Sequence, residues 1–218
     1  MATDERSSKE KILKKVRAGL LHKGNPYPAN VDLDTDVFVK ESGDLVETFS
    51  GNFHANKGHF NYCFNEFDFV DQFLALVEER EWQSVISLEK HFQNLFIHCE
   101  YPLFLKKDDV RLADVGLTGC EALISRTGSV VISSKTNLSR TLSIFPPVHV
   151  VVAYKENLCY DLKNYFGEWN TNDVQGLPSM ISIISGPSRT SDIEKTLVLG
   201  AHGPMEIHVF YIDQPKPF

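Results

Sequence analysis

The chain has few cysteines and none of them are paired in sequence. Cys63, Cys99, Cys120 and Cys159 stand far apart in the 218 residues, with no C-x-x-C among them. This spacing argues against a zinc or iron–sulfur site made by this chain alone, so no metal and no bound cofactor is expected. The cysteines read instead as reduced thiols of a cytoplasmic protein. No apolar run approaches the roughly 18 residues that cross a bilayer. The opening stretch MATDERSSKEKILKKVRAGL is charged and lacks the apolar core of a secretory signal. A phosphate-binding P-loop, a dinucleotide fingerprint, internal repeats and low-complexity tracts are all missing. Basic residues are in deficit: 22 Lys and Arg face 29 Asp and Glu, a net charge of −7. That balance argues against nucleic acid as the main partner.

What remains is a globular composition, 42% hydrophobic. A chain of this size buries roughly 70% of its unfolded surface, enough for one substantial core. Residues 7–23 read as an amphipathic helix. Ser7 and Glu10 have capping-box spacing, and Ile12, Val16 and Leu20 recur on one face. The first 25 residues hold seven bases and three acids. The apolar stripe is expected to pack on an acidic body or on a partner, with the basic face wet. Residues 24–58, punctuated by Gly24, Pro26, Pro28, Gly43, Gly51 and Gly58, read as an irregular arm. The domain boundary therefore falls between an N-terminal helix and arm, 1–58, and an α/β domain, 59–218.

Beyond the arm, strand and helix alternate. Phe60–Phe64 reads as a strand, Asp68–Arg80 as a helix, Val85–Ser87 as a strand and Glu89–Leu95 as a helix. Ala122–Ser125 and Val130–Ser133 are apolar strands on either side of Arg126-Thr127-Gly128. Val148–Ala153 is a β-branched run of the kind buried on both sheet faces. Leu158–Trp169 reads as a helix, Met180–Ser185 as a buried strand, Thr190–Leu199 as a helix and Ile207–Ile212 as a last strand. Such alternation favours βαβ units and one mainly parallel sheet.

Candidate chemistry gathers in the turns. Gly186-Pro187-Ser188-Arg189-Thr190-Ser191 follows a strand and leads to an expected helix capped by Thr190 or Ser191. Free N–H groups and the helix dipole there favour an anion, and Arg189 adds a bidentate fork. The plainer reading is a helix cap with a surface arginine. Gly116-Leu117-Thr118-Gly119 and Arg126-Thr127-Gly128-Ser129 read as two more turns, able to face the same crevice or serving simple turn chemistry. His202 is a candidate acid–base group or a histidine satisfying helix-end carbonyls, and Gly200 suits a left-handed C-cap. His54, His59 and Cys63 match no zinc spacing and read as structural. A Ser188–His202–Asp192 triad lacks the G-x-S-x-G elbow.

Several of these pieces recur together in one known family. Gly116-Leu117-Thr118-Gly119, Ala122 through Ser129, Arg140 through Val152, Leu177-Pro178-Ser179, Gly186 through Glu194 and Gly200 through Pro204 stand in the order and spacing of the LUD-domain family. The stretch from about Val115 to Asp213 resembles the lactate utilization protein C group of that family. The resemblance implies a three-layer αβα fold with a mainly parallel sheet, like that of ribose-5-phosphate isomerase, glucosamine-6-phosphate deaminase and the coenzyme A transferases. It implies a part in oxidising L-lactate to pyruvate, beside iron–sulfur subunits of the lactate utilization A and B kind that carry the clusters. Many members have an acid where this chain has Arg126, which adds a cation to the presumed crevice.

Two functions from different classes follow. The first is a non-redox subunit of a lactate-oxidising system that binds a carboxylate or another small anion. Its candidate ligand-binding residues are Thr118, Gly119, Glu121, Arg126, Thr127, Gly128, Arg140, Gly186, Ser188, Arg189, Thr190, Ser191 and His202; no catalytic residue is assigned. The second is a free-standing enzyme acting on a sugar phosphate or a coenzyme A ester, for which Glu121 is the carboxylate to test. A scaffold that only assembles partner subunits is a third reading.

Overall fold

The run Val148–Tyr154 is buried at every position and forms the middle strand of a five-stranded sheet. A strand with no polar side is stable only where both sheet faces are covered. The computed structural model describes residues 8–21, 43–101, 110–135, 141–167, 178–190, 198–200 and 202–217. In chain order the elements are α1 (Ser8–Leu21), α2 (Leu45–Ala55), β1 (His59–Cys63), α3 (Glu66–Glu79), β2 (Val85–Ile86), α4 (Lys90–His98), β3 (Val115–Gly119), β4 (Ala122–Ile124), β5 (Ser129–Ser133), β6 (Val148–Tyr154), β7 (Leu158–Cys159), α5 (Leu162–Gly167), β8 (Ile181–Ile184), β9 (Arg189–Thr190), β10 (Val198–Leu199) and β11 (Glu206–Ile212). The chain divides into two compact units, residues 1–42 and 43–218. Among the described residues, no helix is long and apolar enough to cross a membrane.

In the first unit, α1 buries no residue, and Ile12, Val16 and Leu20 are exposed. Ser7, the expected cap, lies outside the described residues. The second unit is an α/β structure around a parallel sheet of order β1-β11-β6-β3-β2. On one face lie α3 and α4. Phe69 and Phe73 recur at helical spacing on α3, as do Phe92 and Phe96 on α4, and all four pack on Leu117, Val150, Val152 and Phe210. Asn65 caps α3 by accepting the Asp68 N–H at 2.9 Å. Each fully buried Phe contributes about 1.5–3 kcal/mol.

The opposite face is covered by α2 together with a four-stranded sheet of order β7-β4-β5-β8. Leu123, Val130 and Ile132 of the small sheet point at Val151, Ala153, Val209 and Tyr211 of the large one. Their strand neighbours Ala122, Ile124 and Val131 point away and pack under Leu162 and Tyr165 of α5. This alternation between two apolar layers is why the hairpin β4–β5 has no polar face.

Several expectations are corrected. The arm ending at residue 58 contains α2, because Asp44 accepts the N–H groups of Val46 and Glu47 and so starts a helix. Phe49 and Phe53, four residues apart, then enter the core, and the compact unit begins at Gly43. Gly116–Gly119 lies in a central buried strand, not a turn. A Cβ on Gly116 would stand 2.3 Å from the Leu142 carbonyl oxygen, so the glycine serves a close backbone approach. Leu158–Trp169 holds a two-residue strand and the short α5 in place of one long helix. The strand expected at Met180–Ser185 is β8, an edge strand that is only half-buried. Finally, Arg189–Thr190 pairs antiparallel with Val198–Leu199, so the expected helix from Thr190 is replaced at both ends by strand.

Candidate functional site

A cavity of about 190 Å³ opens between the amino ends of the parallel strands and the edge of the small sheet. Its polar walls are His149 of β6, Ser182 of β8, Ser188 and His202; Ile184, Ile207 and Pro187 supply apolar wall. His149 is fully buried within an otherwise apolar run. Its Nε2 lies 2.9 Å from Thr118 Oγ1 on the neighbouring strand. Nδ1 is buried and has no hydrogen-bond partner among the described residues. Burial pushes the imidazole pKa down to about 4, so the ring is neutral at pH 7. In either tautomer of the ring Nδ1 is a buried polar atom still to be satisfied: a donor when the Thr118 O–H donates to Nε2, an acceptor when the Nε2–H donates to Thr118.

The turn 186–188 reaches this cavity for a reason other than a helix dipole. The Ser188 N–H donates to the Pro204 carbonyl at 2.9 Å, and the Gly200 N–H donates to the Ser188 carbonyl at 3.0 Å. The Ser188 N–H, one of the backbone donors expected for an anion, is thus spent in tying 186–188 to 200–204. Gly200 has the expected left-handed φ of +74°, but it follows β10 and caps no helix. Gly186, with φ +93°, lies against α2: a Cβ there would meet Asn56 O at 2.2 Å. Gly186, Ser188 and His202 therefore meet at the cavity. Arg189 is exposed and outside its lining, and Thr190 is half-buried in β9. Ser191, Asp192 and Arg140 lie outside the described residues.

The remaining candidates fall elsewhere. Arg126, Thr127 and Gly128 form the β4–β5 turn, and α2 docks on it. Asn52 Nδ2 donates to the carbonyls of Ser125 and Arg126, and Asn56 Nδ2 to that of Thr127. Gly128, with φ +57°, allows the Asn52–Phe53 backbone to come within 2.4 Å of where a Cβ would be. This turn is a helix seat, away from the cavity lining. Glu121 accepts the Ser133 hydroxyl proton, and the Gly119 N–H donates to Glu89 Oε1 at 2.6 Å.

Glu89 adjoins a second polar assembly, at the carboxyl ends of the parallel strands. Tyr154 ends β6, and its hydroxyl donates to Glu66 Oε1 at 2.5 Å. His91 Nε2 lies 2.8 Å from the same oxygen and 2.7 Å from the phenol oxygen. Since the phenol proton goes to Glu66, the imidazole N–H is shared between the two oxygens. Burial, and then the bond to Glu66, holds the Tyr154 pKa far above its usual value. Burial also raises the Glu89 carboxyl, against the lowering effect of the Gly119 N–H. Lys216 stands 6.0 Å over the Tyr154 ring. Neither His149 nor this assembly was singled out from sequence. The one available signal was a histidine and a tyrosine inside an apolar strand run.

Residues 106–212 match the family model of the LUD domain. This stretch is similar to the LUD domain. Three similar proteins extend the comparison. An uncharacterized protein of Neisseria meningitidis is 36% identical over 106 residues, 45% of this chain and 42% of its own. Lactate utilization protein C of Halalkalibacterium halodurans is 35% identical over 120 residues, 54% of this chain and 51% of its own. Lactate utilization protein C of Macrococcus caseolyticus is 26% identical over 172 residues, 78% of this chain and 72% of its own. The chain thus spans about half the length of the first two relatives. The crystal structure of a DUF162 family protein from Deinococcus radiodurans superposes with a TM-score of 0.56 at 15% identity, covering 77% of this chain and 96% of that one; it shares the fold. Every residue lining the His149 cavity lies inside the stretch that matches the LUD domain. Glu66, Glu89 and His91 of the second assembly precede it.

Proposed function

We propose that this chain takes part in lactate utilization as a component without a redox group of its own, and that it binds a small carboxylate of the lactate or pyruvate kind in the His149 cavity. The observation that carries the reading is the buried, unpartnered Nδ1 of His149, a residue that lines a cavity together with Ser143, Ser182, Ser188, His202 and apolar side chains. A buried polar atom without a partner costs about 1–3 kcal/mol, and a guest with a complementary polar group removes that cost. The mixed lining suits a molecule with one polar end and one methyl end. Electrons from such a substrate would pass to iron–sulfur subunits of the lactate utilization A and B kind, because the sequence supplies no cysteine spacing for a cluster. The names of the relatives support the pathway.

Calorimetry with lactate, pyruvate and phosphate tests it. Ser188→Ala and His202→Ala should each weaken carboxylate binding by roughly tenfold, the scale of a lost hydrogen bond to a charged group. Arg189→Ala, outside the lining, should leave it unchanged. No binding of either carboxylate, or equal affinities in all three variants, overturns the site.

A second reading, a free-standing enzyme on a sugar phosphate or coenzyme A ester, is favoured by one observation. The Glu66–His91–Tyr154 network with Glu89 sits at the carboxyl ends of the strands, where open α/β sheets hold ligands. Turnover abolished by Glu89→Gln, with carboxylate binding intact, would establish that reading.

A further inference from the structure

We propose that His59, Glu206 and His208 form a binding site for one divalent transition-metal ion of the zinc class, at the amino ends of β1 and β11 on the face that carries α3. The parallel register of these strands sets His59 beside His208, and their rings stack with centroids 4.5 Å apart and planes 16° apart. Glu206, two residues before His208, shares that face. One ligand atom from each of the three lies within 4.8 Å of the other two. In a tetrahedral zinc site, with metal–nitrogen bonds of about 2.0–2.1 Å, donors stand about 3.3 Å apart. His59 is the exposed member, so its ring can turn to close that gap without repacking the core.

The rest of the site is already oriented. Glu206 Oε2 faces His208 Nε2 at 3.3 Å, and Glu206 Oε1 lies 3.5 Å from Arg80 Nη1. A ligating carboxylate is ordinarily held by such an outer partner. The Trp82 ring stands edge-on to His208, 6.1 Å away, and limits its rotation. Two imidazoles and one carboxylate are a familiar zinc ligand set, with the fourth position left to water. Borderline nitrogen and oxygen donors favour zinc, cobalt or nickel over magnesium or calcium. Sequence spacing could not show the site, because its ligands come from strands far apart in the chain that the sheet order makes neighbours. The site is on the sheet face opposite the His149 cavity, so either can fail without the other.

The test uses the full chain without an affinity tag, stripped with a chelator and titrated with Co²⁺ and then Zn²⁺. One equivalent of cobalt should bind, with visible d–d absorption, no thiolate charge-transfer band in the near ultraviolet, and displacement by zinc. His59→Ala and Glu206→Gln should each weaken binding at least tenfold, with an unchanged circular dichroism spectrum for the exposed His59 variant. No binding, a thiolate band, or affinities unchanged in both variants overturns the proposal.

Discussion

Two strands of this protein, β6 of the parallel sheet and β8 of the small one, use similar β-branched residues in opposite ways. In the parallel sheet, β6 buries all seven of its residues. In the small sheet, β8 with the sequence ISII buries none completely, and Ile183 is 45% exposed. The difference lies in position. β6 has a strand on each side and a layer over each face, whereas β8 is an edge. An apolar run therefore reports a covered strand only where the sheet order places neighbours around it.

The sharpest way to break this comparison is to truncate one residue in each sheet. Phe210→Ala, which removes the ring that packs edge-on to Phe69 at 5.3 Å, should cost about 3–5 kcal/mol in urea unfolding. A smaller loss should follow from acid. His149 has a folded pKa of about 4 against 6.5 for a free imidazole, so the unfolded chain binds the proton first. The stabilisation is complete above pH 6.5 and declines as pH falls toward 4, by up to about 3 kcal/mol. Unfolding at pH 7 and at pH 5 should show this decline in the wild type, and His149→Gln should flatten its share of it. Next comes the helix seat. Gly128→Ala places a side chain at φ +57° against the α2 backbone, and about 2 kcal/mol should be lost. At the small end, Ile183→Ala on the exposed edge should cost less than about 1 kcal/mol. An Ile183 loss equal to that of Phe210 would erase the contrast between the sheets.

Legibility followed the same contrast. β6, β11 and the β4–β5 hairpin are plain in the sequence because their apolar runs are continuous or alternate cleanly. α2 is hidden among glycines, although Asp44 and the pair Phe49 and Phe53 were its signals. The stretch after Arg189 misleads because Thr190, Ser191 and Asp192 have the chemistry of a helix cap, while strand pairing with Val198–Leu199 decides the structure. At the site, Gly186, Ser188 and His202 were readable one by one as turn residues with polar or flexible chemistry, but not as neighbours. His149 was not, since a single polar residue in a hydrophobic strand reads as core. Glu66, His91 and Tyr154 come from three separate elements, and only the sheet brings them within 3 Å.

The position of β11 has a consequence for how the protein is made. β1 pairs only with β11 within the parallel sheet, and β11 lies between β1 and β6. As the nascent chain leaves the ribosome, β1, α2 and α3 emerge long before the strand that connects them to the rest. Until residues 206–212 appear, the Phe69 and Phe73 rings have no Phe210 to meet, and His59 has no His208 beside it. Completion of this packing thus waits for the arrival of one late segment, and until then the apolar faces of α3 and β1 lack a partner strand.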